Sequence, residues 1–409
     1  MNRIYLQIKD IWDVAGMELS RIFHDGGVVL LFCVATLLYP LIFAFVYKNE
    51  CVRELPIAVV DDSQSVESRR FAHKLDATPE IIVTFRCNNI EEARVLMQQR
   101  LINGIVYFPR DYGTKIAEMQ TARACLFCDM SSFLYYRSVL SSTSAVLLDE
   151  MQFIEAERYE RAGMTGESTQ QMVQPIRVDD VKLYVPNGGF TSFLVPALLV
   201  LVLQQTLFLG MCVLYGTSRQ QRQVKKSIPL RLQRGGLLFR VTFGRAMAYF
   251  LIYFPMAIIN LILLTRLFNL PHIGNPVHVI LFIIPFLLAA IFFCMTICSF
   301  VRNRDAGIVV FIFFSIILIF ISGAIWPQCN MPRFWLLFSY IFPSTHGING
   351  FIRINSMGAT LDQVKFEFLI LIIQTIVYFF TASGALHILL RFRIGQQHDV
   401  SESLQPQQH

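Results

Sequence analysis

No aspartate or glutamate occurs between residues 182 and 303. Carboxylates inside a membrane are the usual proton relays, so this gap argues against a proton-coupled carrier. Charge of either sign is scarce, with 16% of residues charged against about 25% in soluble domains. The chain has no Gly-Lys dipeptide and therefore no Walker-type phosphate loop. It has no His-x-x-x-x-Asp and no Gly-x-Ser-x-Gly, so it lacks both an acyltransferase-type pair and a nucleophile elbow. One Cys-x-x-Cys stands alone at Cys125 and Cys128, with no second pair to complete a zinc site. Nothing points to a catalytic residue, a cofactor-binding residue or a metal ligand.

What the chain does have is apolar length. Hydrophobic residues make up 54%, and the mean hydropathy is +0.51. Six runs are long enough to cross a bilayer core of about 30 Å: 28–47, 192–215, 243–265, 277–300, 307–326 and 366–390. Glu367 stands at the start of the last, and Arg245, one turn into the third, can snorkel to the interface. The fold class read from this pattern is an α-helical polytopic membrane protein with six transmembrane helices and an inserted α/β extracytoplasmic domain.

Its parts divide as follows. Residues 1–25 form an amphipathic interfacial helix, with Ile4, Ile8, Ile11, Trp12, Ala15, Leu19, Ile22 and Phe23 on one side. Lys9, Asp10, Asp13, Glu18 and Arg21 are assigned to the other side. Residues 26–47 are the first transmembrane helix, read as an uncleaved anchor, since no small-x-small site precedes Tyr47. Residues 48–189 are the inserted domain, and 190–391 the remaining five helices, with a basic loop at 216–245 and a re-entrant segment at 327–350. Residues 392–409 are a polar cytoplasmic tail, expected to be disordered from Gln396 onward. Basic residues crowd one set of flanks: Arg3, Lys9 and Arg21, the 216–245 loop, Arg302 with Arg304, and Arg391 with Arg393. The opposite flanks hold Arg266, Arg333, Arg353 and Lys365. The positive-inside rule then puts both termini in the cytoplasm. The net charge of +6 reflects this topology and not a nucleic-acid surface.

The inserted domain has the composition of a soluble protein, with 20 of the chain's 29 acidic residues in 48–185. Short β-type runs at 57–60, 81–85 and 105–108 alternate with helix signals. Asp62 or Ser63 is expected to cap the first helix, and Asn88 or Asn89 the second, with Glu91 or Glu92 as the reciprocal partner. Leu140, Ser144, Leu147, Met151 and Ile154 mark one face of a long helix, which can pack on the domain or on a second copy. Residues 160–180 read as a mobile linker. Cys51, Cys87, Cys125 and Cys128 face the oxidising side and are candidates for one disulfide, with its pairing open.

Among polar residues within spans, Gln204, Gln205, Asn260 and Gln374 either glue helices together or line a translocation path. In the basic loop, Arg219, Arg222, Lys225 and Lys226 are candidates for docking a cytoplasmic partner, besides attracting anionic lipid. Prolines fence the apolar run 334–342 on both sides, which reads as a short interfacial or re-entrant helix.

Several segments together carry a family resemblance: Leu55-Pro-Ile-Ala-Val-Val-Asp-Asp-Ser63, Gly104-Ile-Val-Tyr-Phe-Pro-Arg-Asp-Tyr112 and Val185-Pro-Asn187. Ser322-Gly-Ala-Ile-Trp-Pro327, Met331-Pro332 and Phe342-Pro343 followed by Arg353 complete the set. In this order and spacing the chain resembles the type 2 ABC transporter permeases of the exporter class. The resemblance implies an export permease of the bacterial cytoplasmic membrane that forms a homodimer or pairs with a sister chain. It implies two ABC ATPase subunits at the cytoplasmic face, which would hold ATP and magnesium, and a periplasmic adaptor in the subgroup with this domain. One departure concerns docking. Relatives carry a Glu-rich stretch after the second span, whereas here Gly216-Thr217 runs into Ser-Arg-Gln-Gln-Arg. Two rival readings are a membrane-anchored ligand-binding sensor or scaffold without transport, and a membrane enzyme using His272, His278 and His346.

Overall fold

A computed structural model describes residues 2–47, 52–164, 167–174, 181, 183, 184, 189–221, 228, 229, 232 and 238–402. The chain divides into two compact units, Met1–Lys48 with Lys182–His409, and Asn49–Val181. In chain order, α1 is Asn2–His24 and α2 is Gly26–Val46. The second unit follows with β1 (Leu55–Asp61), α3 (Val66–Asp76), β2 (Ile81–Cys87), α4 (Ile90–Gln98), β3 (Gly104–Phe108), α5 (Tyr112–Ala117), β4 (Cys125–Cys128), α6 (Phe133–Arg161) and α7 (Glu167–Val173). The first unit resumes with α8 (Phe190–Gln220), α9 (Leu238–Leu267), α10 (Pro276–Cys298), α11 (Arg304–Ile321), α12 (Arg333–Ser339), α13 (Pro343–Asn355) and α14 (Lys365–Glu402). Six of these, α2, α8, α9, α10, α11 and α14, are long and apolar enough to cross a membrane.

Helices in lipid gain nothing from burying one another's hydrocarbon, so packing and hydrogen bonds must hold them. Ring contacts supply part of this: Phe32 of α2 meets Tyr249 and Tyr253 of α9 edge-on, with centroids 5.9 and 5.3 Å away. Prolines create a second need. Pro40 cannot donate the helical bond owed to the Thr36 carbonyl, and Asn260 Nδ2 of α9 donates to that oxygen at 2.9 Å. Two of the proline-bearing helices contain a wide turn, Leu30–Ala35 in α2 and Ile259–Leu263 in α9.

The insert after the fifth span differs from the sequence expectation. That span stops at Ile321 instead of 326, because Gly323 turns the chain through a left-handed conformation (φ +84°). Two helices follow where one was expected. α12 is short and largely exposed, whereas α13 is buried among the spans. Gly350 makes that burial possible, since a Cβ there would lie 2.1 Å from the Phe282 ring of α10. The insert ends at Gly358, also left-handed (φ +76°). At the C-terminus α14 stays helical to Glu402, past the start of the expected disorder, with no proline before Pro406 to stop it.

The second unit is a four-stranded sheet of order β2-β1-β3-β4, parallel except for β4. Alternate β1 residues face opposite ways. Leu55, Ile57 and Val59 pack with Phe71, Ala72 and Leu75 of α3 and with Val139 and Val146 of α6. Ala58 and Val60 pack with Ala93 of α4 and with Ile105. The cap of α3 is Ser65, not Asp62 or Ser63; the Asp61 carboxylate instead ties down the preceding turn. Asn89 caps α4, and Glu92 reaches back to the Asn88 amide. The predicted apolar stripe on α6 lies outward, with Leu140, Leu147 and Met151 exposed. The buried face is Val139, Ser142, Thr143, Val146 and Glu150. Two of its polar members are paired: Ser142 donates to Glu80, and Glu150 accepts from Arg70 and faces Lys74 of α3. The expected linker 160–180 contains α7.

Candidate functional site

The N-terminal helix shows how the site assembles. Ala15, Glu18 and Ile22 fall at three- and four-residue steps and, with Val14, are buried. Ile8, Trp12 and Phe23 form an adjoining exposed apolar sector, and Lys9, Asp13 and Ser20 a polar one. α1 thus has a buried face, an exposed apolar face and an exposed polar face. Gly244 of α9 lets it approach closely, because a Cβ there would sit 2.8 Å from the Ile11 carbonyl oxygen.

The sequence reading placed Glu18 on the polar side, but it is 1% exposed. Its Oε2 lies 3.0 Å from Arg21 Nη1 and 3.6 Å from Arg245 Nε. The Tyr249 hydroxyl donates to its Oε1 at 2.6 Å. Burial alone would raise the Glu18 carboxyl, but Arg21, Arg245 and Tyr249 outweigh it and hold it below the ordinary glutamate range. Arg245 therefore does not snorkel; it is buried beside this carboxylate with the Tyr215 ring of α8 6.0 Å away. Arg21 also donates to the Leu214 carbonyl of α8 at 3.4 Å. Nearer the start of α1, Arg240 pairs with Asp10 at 3.2 Å. The cluster fastens α1 to two spans at once. A lone arginine inside an apolar run was the available signal, since a buried charge requires a partner.

The predicted docking residues are only partly placed. Arg219, in the last turn of α8, donates to the Ser299 carbonyl just past α10. Arg222, Lys225 and Lys226 lie outside the described residues. Of the predicted path residues, three act as clamps between helices. Asn260 serves the Thr36 carbonyl, Gln205 donates to the Ser315 carbonyl of α11 at 3.3 Å, and Gln374 donates to the Tyr340 carbonyl at 2.7 Å. Gln204 is buried with neither side-chain polar atom hydrogen-bonded among the described residues. Beside these, Thr36 donates to Thr206 at 2.9 Å and Tyr253 to Thr206 at 3.3 Å, a polar knot across three spans.

Cys87, Cys125 and Cys128 are free thiols, and Cys51 lies outside the described residues. Cys125 and Cys128 pair with Tyr107 and Gly104 at opposite ends of one strand. Three strand steps separate them by about 10 Å, beyond the roughly 7 Å limit for a disulfide. Among the described residues, no three His, Cys, Asp or Glu side chains gather as a metal would need. His272 and His278 lie before and within the first turn of α10, whereas His346 is buried in α13 against the Tyr340 ring.

Residues 27–383 match the sequence pattern of the family described as ABC-2 family transporter protein. A curated relative, ABC transporter G family member 20 of Dictyostelium discoideum, is 24% identical over 208 residues. That alignment covers 49% of this chain and 27% of the relative, so the chain spans about a quarter of the relative's length. ABC-2 permeases are membrane transport subunits that work with ABC ATPases. A match over most of the chain, on a bundle with six apolar helices of spanning length, leads to one assignment: this chain belongs to the ABC-2 transporter family.

Proposed function

We propose that the chain is the permease subunit of an ATP-driven exporter, working as a homodimer or with a sister permease. Two separate ABC ATPase subunits bind the face that carries α1. Both termini lie in the cytoplasm, residues 49–181 lie outside, and the membrane is the bacterial inner one. An adaptor protein on the outer side completes the assembly. The observation that carries this reading is the fastening of α1. Because Glu18 is bonded to Tyr249 and ion-paired with Arg245 of α9, and Arg21 reaches α8, a push on α1 from below moves the second and third spans together. ATP and magnesium belong to the partner in this reading, which the lack of a Gly-Lys dipeptide in the chain supports. The cargo is amphiphilic or drug-like, a reading that the apolar composition of the six helices supports.

Affinity purification of tagged chain from native membranes tests the reading. An ABC ATPase should co-purify, and the reconstituted pair should move an amphiphilic dye in an ATP-dependent way. Recovery of the chain without a nucleotide-binding subunit would overturn it.

A further inference from the structure

The α/β unit carries a cavity that the export reading does not use. In open α/β sheets, ligands bind in the crevice outside the carboxyl ends of the strands. The helices after β1 and β2 pack on opposite faces. The helix after β1, α3, packs on the Leu55, Ile57 and Val59 face; the helix after β2, α4, packs on the Ala58 and Val60 face. At their carboxyl ends a cavity of about 330 Å³ opens, lined by Val59, Asp61, Gln64, Arg69, Arg86 and Asn88 among others. That volume falls at the lower end of the range for small-molecule sites.

The lining carries two arginines and one carboxylate, a net positive charge. Asp61 is the acidic residue in it, and its oxygens are occupied. Oδ1 accepts from the amides of Ser63 and Gln64 at 3.1 and 2.9 Å, and Oδ2 from the Ser68 hydroxyl at 2.7 Å. Arg69 donates to the Ser65 and Gln64 carbonyls at 3.1 Å each, which fixes its guanidinium without neutralising it. Arg86, from β2, has neither a side-chain hydrogen bond nor an ion pair among the described residues. The turn between β1 and α3 holds Gln64 in a left-handed conformation (φ 47°), a strained state that persists only where its surroundings enforce it. Here the Asp61 carboxylate enforces it.

We propose that this crevice binds a phosphate group, carried by a small solute or by a lipid headgroup. Two guanidiniums from different elements line one open cavity beside a single carboxylate, which leaves its charge net positive. A tetrahedral oxyanion offers enough acceptor oxygens to engage both, whereas a planar carboxylate suits a single fork. Asn88 supplies a neutral donor on the same wall. The site is independent of the export reading and stands or falls without it.

The test uses the full chain in a maltoside detergent, which carries no phosphate, with inorganic phosphate as the probe. Phenylglyoxal modification of arginines is followed by peptide mass mapping. Phosphate should slow modification of Arg69 and Arg86 but not of Arg94, which is exposed on α4 and paired with Glu91. Arg86→Gln should weaken phosphate protection of Arg69 about tenfold, the loss of one charge-assisted hydrogen bond. A second arm replaces phosphate with nanodiscs containing phosphatidylglycerol. Protection in that arm identifies a headgroup as the source, and protection by phosphate alone identifies a solute. Equal behaviour of Arg69, Arg86 and Arg94 in both arms would overturn the proposal, as would unchanged protection of Arg69 in Arg86→Gln.

Discussion

Neutralising Glu18 and Arg245 together should cost less than the sum of neutralising each alone. In Glu18→Gln the Arg245 guanidinium, 4% exposed, stays buried and loses the carboxylate 3.6 Å away. At an effective dielectric of about 20, that pair is worth ~5 kcal/mol before desolvation, and removing one partner of a buried pair costs ~3–5 kcal/mol. Arg21 is partly exposed, so its share is a surface contribution of ~0–1 kcal/mol. Arg245→Met strands Glu18 in turn, with Arg21 and Tyr249 to soften the loss. The double variant removes both charges, keeps the volume and leaves the introduced amide oxygen to accept from Tyr249. Its cost should therefore fall short of the sum of the singles by at least ~2 kcal/mol. Denaturant unfolding of the reconstituted full chain reads all three. The same series carries a pH test. Glu18 is held below its ordinary value of 4.5, so its stabilisation is present above that value and lost as pH falls through the lower folded one. Glu18→Gln should lack this slope. Single losses that simply add, with coupling below ~0.5 kcal/mol, would refute the idea that the pair fixes α1.

Three further outcomes are expected. Gly350→Ala should destabilise the bundle by ~1–3 kcal/mol through overpacking against Phe282, and adding Phe282→Ala should restore part of the loss in a thermal melt. Burial, with the charges of Glu150 and Glu67 nearby, pushes the Tyr112 hydroxyl up from 10.0 to about 12. Tyr112 therefore contributes stability that is intact below pH 10.0 and lost as pH rises toward about 12; Tyr112→Phe should flatten that decline, followed by unfolding midpoints across the range. Cys329, exposed between the fifth and sixth spans, should react with a membrane-impermeant maleimide on intact cells when it is the sole cysteine, and labelling only after lysis would reverse the proposed topology.

The spans were legible because long apolar runs with few charges have few other uses, and the β1, β2 and β3 runs stood out by composition. Helix faces were harder. On α6 the exposed face carries Leu140, Leu147 and Met151, while the buried one includes Ser142, Thr143 and Glu150. Ranking by hydrophobicity selects the wrong face there, since the buried polar atoms of Ser142 and Glu150 meet partners just before β2 and on α3 that are distant in sequence. Glu18 failed for the same reason: its partners Arg245 and Tyr249 lie far along the chain, on α9. α13 was missed because its small residues Ser344, Thr345, Gly347 and Gly350 read as a loop until the rings of Phe282 and Phe286 supply the opposing surface. Asn260 was visible as a polar residue in a span, but its role needed Pro40 in view.

The insert after the fifth span hangs between two mirror-handed corners, Gly323 and Gly358. Its orientation is consequently set at two mounts and not spread along flexible connectors. Changes within α12, where Phe334 and Leu337 are exposed, leave those mounts untouched. That stretch can diversify its chemistry cheaply while the corners keep their geometry. A side chain placed at either corner would be strained in that left-handed conformation.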